Sequence, residues 1–459
     1  MPHANPPLRI LLIQSAYGIF ASSGGYRANL AFCRAMAAQG HAVLMLAFPY
    51  AADLKQLPAG DVEAAQEDPL SFGDHSVAVS RFKFKGIDCV GLDAEAYAAA
   101  FDRDEMRKPY AAWLETDPNV EGCSESQVPP ECAARRDFVL GRISAFNPTH
   151  VVVNERGSLK IATDAAAAAD KQGAQDKEGV QRSFVRVFIA HDVNSLPFGP
   201  FSVFGDSAMQ HDRLRKVEGL WTVSEAVKAY FVQFGQLKNA KVLHNHPWIF
   251  ADDPAHLPFY DNWDKAHVTL INPGPAKGFP IAHAVARMAP DVNFLVIKSW
   301  ATQPYVIEQF EQLENCTVED SYTDIEELWR KTKVLMVPSL CYEAFGLVVV
   351  EAMLRGIPVI SSDAGGLPEA HLGVPWVISV NPFTEKETNP KLVERYGQWK
   401  LPENDPEPWA LTLHGALWDQ EAYETVRVKG RQAALEYLKD LDTSKYERWL
   451  RELLAVKVE

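Results

Sequence analysis

The sequence predicts an α/β protein built on parallel sheets covered by helices. Three observations carry this. First, Val334–Val337 is a short apolar run stopped by Pro338. A loop follows, then a helix predicted over Gly346–Leu354 and ended by Gly356, then a second strand over Val359–Ser362 closed at Gly365 and Gly366. Strand, loop, helix, strand is the repeat unit of a parallel sheet. Second, the chain begins the same way. Leu8–Ile13 reads as a buried strand, Ser22-Ser23-Gly24-Gly25 as a turn, Tyr26–Gln39 as a helix stopped by Gly40, and Val43–Phe48 as the next strand. Third, 459 residues at 47% hydrophobic and 23% charged suffice for two or three domains with proper cores.

Composition removes several functions. A net charge of -15 disfavours a general nucleic-acid binder, so any phosphate site must use local charge. The six cysteines form no CxxC pair, which fits reduced thiols in a cytoplasmic protein. Leu8–Ile13 is too short for a signal peptide and no run approaches a membrane span, which leaves only peripheral membrane contact open.

Along the chain, residues 51–135 read as irregular and acidic. Asp102-Arg103-Asp104 matches a DxD metal pattern, but it sits in a polar, helical segment rather than after a buried strand, so no metal is expected there. Cys123 and Cys132 give no ligand geometry. Val151–Val153 reads as a strand, and residues 161–180 as a solvated helix or mobile insert. Phe184–Ala190 is a strong strand with His191-Asp192 at its C-terminal edge, where ligands sit in open parallel sheets. Trp221–Phe231 reads as a strand and a helix capped by Ser224. His244 and His246 lack a third ligand for zinc. Residues 247–266 read as a linker. Val268 starts a second strand–turn–helix, Phe294–Ile297 is a strand ending at Lys298, and residues 381–408 are polar and Pro-rich. The tail from Tyr423 is helical, with Trp449, Leu450, Leu453 and Leu454 on one apolar face.

The chemistry concentrates at Glu343 and Glu351. Glu351 lies about one turn inside its helix, roughly 6 Å along the axis. Before it, the backbone N–H groups of Phe345, Gly346 and Leu347 are free to meet a phosphate, and Gly346 permits close approach. A carboxylate beside an anion site suits sugar or ribose hydroxyls. A phosphate cradle between two hydroxyl acceptors is what a nucleotide-sugar needs. Gly24-Gly25 lacks the GxGxxG spacing of a dinucleotide site; it reads equally as a tight turn or as a place where substrate touches backbone.

The stretch VPSLCYEAFGLVVVEAMLRGIPVISSDAGGLPEA, Val337–Ala370, resembles the donor-site motif of the family-4 retaining glycosyltransferases of the GT-B fold. The resemblance implies two Rossmann-like domains facing across a cleft, with a C-terminal helix crossing back to the first domain. It divides the chain into an acceptor-side domain at 1–246, a linker at 247–266, a nucleotide-sugar domain at 267–425, and terminal helices at 426–459 that pack back. It implies a metal-independent transfer of a hexose from a nucleoside-diphosphate sugar, by default UDP-glucose, to a small-molecule, glycan or lipid acceptor. No cofactor is needed, because the nucleotide-sugar is a co-substrate. Glu343 would hold the sugar, Glu351 the ribose and Lys277 the diphosphate, joined by the N–H groups of Phe345, Gly346 and Leu347. Gly25 would face the cleft and His191 would position the sugar, although a loop histidine bonded to backbone reads as well. Thr317–Ser321 would be the base-recognition loop, with Tyr322 stacked on the base. Asn272 stands where the family commonly has arginine, and Lys298 would restore that charge. Asn245-His246-Pro247 also departs from the family's usual Asn-Gly. Two rivals stay in view: a GT-B epimerase or phosphorylase, and a non-catalytic sugar-nucleotide-binding protein. An epimerase would need acid/base carboxylates in the cleft, and none is marked.

Overall fold

The computed structural model describes residues 6–21, 23–63, 67–101, 104–116, 128–173, 184–300, 302–396 and 399–456. The first sheet holds β1 (Arg9–Tyr17), β2 (Ala42–Phe48), β3 (Glu67–Phe72), β4 (His75–Phe84), β5 (Ile87–Leu92), β6 (His150–Val153), β7 (Val185–Ala190), β8 (Gly219–Thr222) and β9 (Lys241–Val242), in the order β3-β4-β5-β2-β1-β6-β7-β8-β9. The second holds β10 (His267–Ile271), β11 (Asn293–Ile297), β12 (Cys316–Glu319), β13 (Thr332–Val337), β14 (Val359–Ser362) and β15 (Val377–Ile378), in the order β12-β11-β10-β13-β14-β15. The second sheet is parallel throughout. Strands covered on both faces by helices must be apolar on both faces. Accordingly Ile10, Leu11 and Leu12 of β1, all three valines of β6, and Val334, Leu335 and Met336 of β13 are buried.

Helix starts follow local chemistry. The Ser23 hydroxyl accepts from the Tyr26 N–H and starts the helix Gly24–Ala38; the Ser224 hydroxyl accepts from the Val227 N–H and starts Glu225–Gly235. Both lie just beyond the C-terminal end of a parallel strand, so they place side chains at the sheet edge where ligands collect.

The described residues within 51–135 are not irregular. They add the antiparallel strands β3 and β4 to β5, extending the sheet at one edge. In β4, Val77, Val79, Phe82 and Phe84 are buried while Ser76, Ala78, Arg81 and Lys83 are exposed. Lys85 and Gly86, at φ 49° and 82°, form the two-residue turn into β5. The alternation and the Lys-Gly turn were both readable signals. The alanine run is likewise no solvated insert: in the helix Arg156–Gly173, Ile161, Ala162, Ala165 and Ala166 face the core. Asp102, Arg103 and Cys123 lie outside the described residues, as do 174–183; Cys132 is buried.

After β9 the chain passes through two short 3₁₀ turns and docks on the second domain, where Asn262 Nδ2 donates to the Trp329 and Thr332 carbonyls at 2.7 Å each. The long helix Gln420–Asp440 still belongs to that domain: a Cβ added at Gly430 would lie 3.3 Å from Met353, and Arg427 Nη1 donates to the Tyr260 carbonyl. The crossing back therefore comes later than residue 426. The helix Lys445–Val456 returns to the first domain, with Tyr446 and Trp449 packed against Trp221 and the Leu450 carbonyl 2.9 Å from His150 Nε2. Trp449 and Leu450 are buried there, each worth about 1.5–3 kcal/mol of apolar burial. Among the described residues no helix is long and apolar enough to cross a membrane.

Candidate active site

The second-domain edge is built around a buried ion pair. After β10, the turn Pro275–Lys277 ends at Gly278, whose φ is +81° and where a Cβ would lie 1.8 Å from the Pro338 carbonyl oxygen. Only glycine fits that contact, and it swings Lys277 toward the loop after β13. There Lys277 Nζ lies 2.6 Å from Glu343 Oε1, which also accepts from Ser339 Oγ at 2.6 Å. Burial pushes the Glu343 carboxyl up, but the Lys277 charge and the hydrogen bonds from Lys277, Ser339 and Cys341 outweigh it, and the net shift is downward. Burial pushes Lys277 down, the Glu343 charge more than reverses this, and its pKa is raised. Both groups are therefore ionised at neutral pH.

Gly346, at φ +106°, caps the helix Leu347–Leu354. The N–H groups of Phe345, Gly346 and Leu347 donate to no protein acceptor among the described residues, so this helix end offers its positive pole. The Phe345 ring faces away, stacked on Tyr437 at 5.9 Å, and contributes backbone only.

Glu351 is 8% exposed, and its Oε1 accepts from Arg27 Nη2 of the first domain at 2.7 Å. The same Nη2 donates to the Ile249 carbonyl at 2.6 Å. One carboxylate oxygen of the expected ribose acceptor is thus held by a cation from across the cleft.

The first-domain edge is neutral. Asn29 Nδ2 lies 3.4 Å from both Gln14 Oε1 and Asn154 Oδ1, so its Oδ1 accepts from His191 Nε2–H at 2.7 Å. That leaves His191 Nδ1 as an acceptor. Burial lowers the His191 pKa to about 4, so the ring is uncharged at neutral pH. The glycine pair joins the two edges. A Cβ on Gly25 would lie 3.2 Å from His191, and one on Gly24 would lie 3.1 Å from Leu347. The domains are further tied by Ser224 Oγ donating to the Ala344 carbonyl, Tyr342 Oη to the Ala226 carbonyl at 2.8 Å, and the Glu225 and Ala226 N–H groups to the Glu369 carboxylate.

Glu343, Lys277, Gly346 and Leu347 therefore meet at one place, with Gly25 and His191 opposite. Lys298 and Tyr322 stand further along the same sheet. Lys298 Nζ pairs with Asp320 at 2.9 Å, and Asp320 is 88% exposed, so that pair holds the lysine only weakly. The Tyr322 hydroxyl bonds to Glu319 and Lys331, and the Lys331 ammonium sits 4.9 Å over its ring, so one face of the expected base platform is already covered. Thr317 to Glu319 are strand β12 rather than loop. Asn272 is buried at φ +57°, a conformation that asparagine tolerates and arginine resists. His244 and His246 hold no metal arrangement: His244 faces Glu369 and His246 Nδ1 accepts from the Trp248 N–H. No group of three or more His, Cys, Asp and Glu side chains placed to hold a metal ion occurs among the described residues.

Arg27, Asn29, Asn154 and Ser339 were missed in the sequence. Ser339 follows β13 inside the motif and was findable. Arg27 and Asn29 lie two residues apart on the helix Gly24–Ala38 and Asn154 follows β6, and neither segment carries a local motif that marks them.

Residues 278–385 match the family model described as Glycosyl transferases group 1. Sucrose synthase 2 of Hordeum vulgare is 27% identical over 124 residues, which is 25% of this chain and 15% of that protein, so the match spans a small part of the relative's length. The solved sucrose-phosphate synthase of Thermosynechococcus elongatus is similar over 97% of this chain and 99% of its own, with a TM-score of 0.62 at 15% identity. The catalytic domain of starch synthase IV from Arabidopsis thaliana, bound to ADP and acarbose, is similar over 99% and 100%, with a TM-score of 0.61 at 14% identity. The chain is a two-domain molecule of the GT-B fold, and its residues 278–385 match the Glycosyl transferases group 1 model.

Proposed function

We propose that this chain is a retaining glycosyltransferase of the family-4 type. It moves a hexose, with UDP-glucose as the first donor to test, onto an acceptor held by the first domain, and it does so without a metal ion. The reading places it in the cytoplasm. The observation that carries it is the buried Lys277–Glu343 pair set beside the Gly346-capped helix end. ADP bound to the similar starch synthase supports a nucleoside diphosphate as the leaving group.

Negative charge grows on the diphosphate as its bond to the anomeric carbon breaks. Lys277 and the N–H groups of Phe345, Gly346 and Leu347 meet that charge in a fixed, partly dry setting, where it counts most. Glu343, oriented by Lys277 and Ser339, accepts a hydroxyl of the transferred sugar. His191, neutral and anchored by Asn29, offers Nδ1 to another. The acceptor oxygen forms its bond on the face the diphosphate leaves, and its proton passes to the departing phosphate oxygen. Configuration is retained and no side chain acts as a strong base.

The test is a panel of nucleotide-sugars read by thermal shift, followed by NMR of the product. Stabilisation by one donor, slow donor hydrolysis and a retained anomeric configuration are expected, with turnover unchanged in EDTA. An inverted product, or turnover lost in EDTA and restored by manganese, would overturn the reading. Donor binding without hydrolysis or transfer would favour the non-catalytic rival.

A further inference from the structure

We propose that Arg156 is an anion-recognition residue of the first domain, and that the acceptor carries a phosphate or carboxylate group. This rests on the transferase reading and adds the chemistry of its second substrate. Arg156 opens the helix Arg156–Gly173 just beyond the end of β6. Asn154, two residues earlier, reaches Asn29, which holds His191 at the end of the neighbouring strand β7. Arg156 thus stands at the C-terminal edge of the first sheet, two residues along the chain from Asn154, which bonds the residue that holds His191.

Its surroundings differ from those of Arg135, on the helix packed beside it, and of Arg27, in the cleft. Arg135 is met by Glu155 at 2.8 Å and Arg27 by Glu351 at 2.7 Å. Arg156 makes one hydrogen bond, Nη1 to Gln210 Oε1 at 3.1 Å, and has no carboxylate partner among the described residues. The nearby carboxylates are committed elsewhere: Glu155 to Arg135, Gly157 N–H and Ser158, and Glu115 to Ser207 and Gln210. Burial lowers the Arg156 pKa by more than Tyr110, Glu155 and Glu115 raise it, as for a half-buried charge still short of a partner.

The guanidinium is nonetheless held in place. Its Cζ lies 3.5 Å from the centre of the Phe204 ring, and Phe204 is 60% exposed. Stacking fixes the plane and Gln210 fixes one end. Nε and Nη2 remain without a partner among the described residues. That edge carries two parallel N–H groups, the fork that binds an oxyanion bidentately. The donor diphosphate does not need it, since its charge is met on the other sheet edge. In a chain of net charge -15, an uncompensated and orientated arginine is the feature that would draw an anionic acceptor.

The experiment is calorimetric titration of inorganic phosphate and, separately, of acetate into protein saturated with UDP, so that the donor site is filled. At least one anion should bind the parent. Arg156→Gln should weaken that binding by about tenfold or more, Arg156→Lys should retain part of it, and UDP affinity should stay within about twofold in both. The anion that binds tells phosphate from carboxylate. If Arg156→Gln unfolds, Phe204→Ala, which frees the guanidinium plane, should still weaken the same anion. Equal anion binding by parent and Arg156→Gln, or none by the parent, overturns the proposal. Failure of UDP itself to bind counts against the transferase reading instead, and the anion titrations run without UDP then decide Arg156.

Discussion

On the second-domain edge, charge meets charge at two neighbouring strand ends: Lys277 follows β10, and Ser339, Glu343 and Gly346 follow β13. On the first-domain edge, Gln14, Asn29, Asn154 and His191 come from four distant segments and form an uncharged relay. Under the proposed function, the contrast follows from what each edge would hold. A diphosphate needs cations and helix N–H groups, and a carboxylate placed beside them must be neutralised or it repels the ligand. Sugar hydroxyls need neutral donors and acceptors in fixed directions. Arg156 is the exception on the neutral side, and Arg27 is the cation that crosses between the sides.

The sharpest way to break this contrast is to remove Lys277. Lys277→Met strands a buried carboxylate, which costs about 3–5 kcal/mol. Turnover should fall by two orders of magnitude or more and thermal stability should drop clearly. The double variant with Glu343→Gln should regain stability but not turnover. A single variant with parental stability would show that the pair is not the buried centre of the donor edge. Scanning calorimetry and single-turnover kinetics decide it.

Next in size is Glu351. Glu351→Ala should weaken nucleoside diphosphate binding by about 1.5–3 kcal/mol, measured by calorimetry. Arg27→Met tests whether the cross-cleft pair competes with the nucleotide or prepares the carboxylate for it. If Arg27 prepares Glu351, affinity should fall in both variants and their effects should not add. Unchanged affinity in Glu351→Ala would remove the ribose role.

The buried neutral histidines of both domains make a pH prediction. His150, His191, His246 and His371 are each pushed by burial to a pKa of about 4. Folded, they stay unprotonated between about pH 6.5 and 4, whereas the unfolded chain takes up protons across that range. Stability should therefore decline as pH falls through this window, by up to about 1.4 kcal/mol per pH unit for each histidine. Glu343, whose pKa is depressed, stabilises the fold above its unfolded pKa and loses that contribution only at still lower pH. Denaturant melts from pH 7 to 4.5 check this; a flat profile would mean that these rings are charged or solvated.

The smallest effect concerns Lys298. Its exposed pairing with Asp320 leaves it free to turn toward a leaving diphosphate. Lys298→Ala should lower kcat more than it raises KM for the donor, by several-fold rather than orders of magnitude. Turnover equal to the parent at saturating donor would confine the charge to Lys277 and the helix end. Restoring arginine at Asn272 is a poor rescue, because the φ of +57° strains it.

Legibility followed the same division. The strand–loop–helix–strand unit from β13 to β14 and the Ser224 cap could be read because each depends on residues close in sequence, whereas Lys277 entered only through the family resemblance and its ion pair with Glu343 is a finding of the structure. The β3–β4–β5 extension was legible but went unread: alternation in β4 and the Lys85-Gly86 turn are short-range signals. By itself, then, the sequence determined the α/β class, the donor-edge motif and the terminal helix with its apolar face, because periodicity and turn chemistry act over a few residues. Only the tertiary structure decided that Arg27 holds Glu351, that Asn29 holds His191 and that Arg156 lacks a carboxylate partner among the described residues, because those facts depend on segments far apart in sequence that meet only in the folded chain, and no local pattern encodes such a meeting.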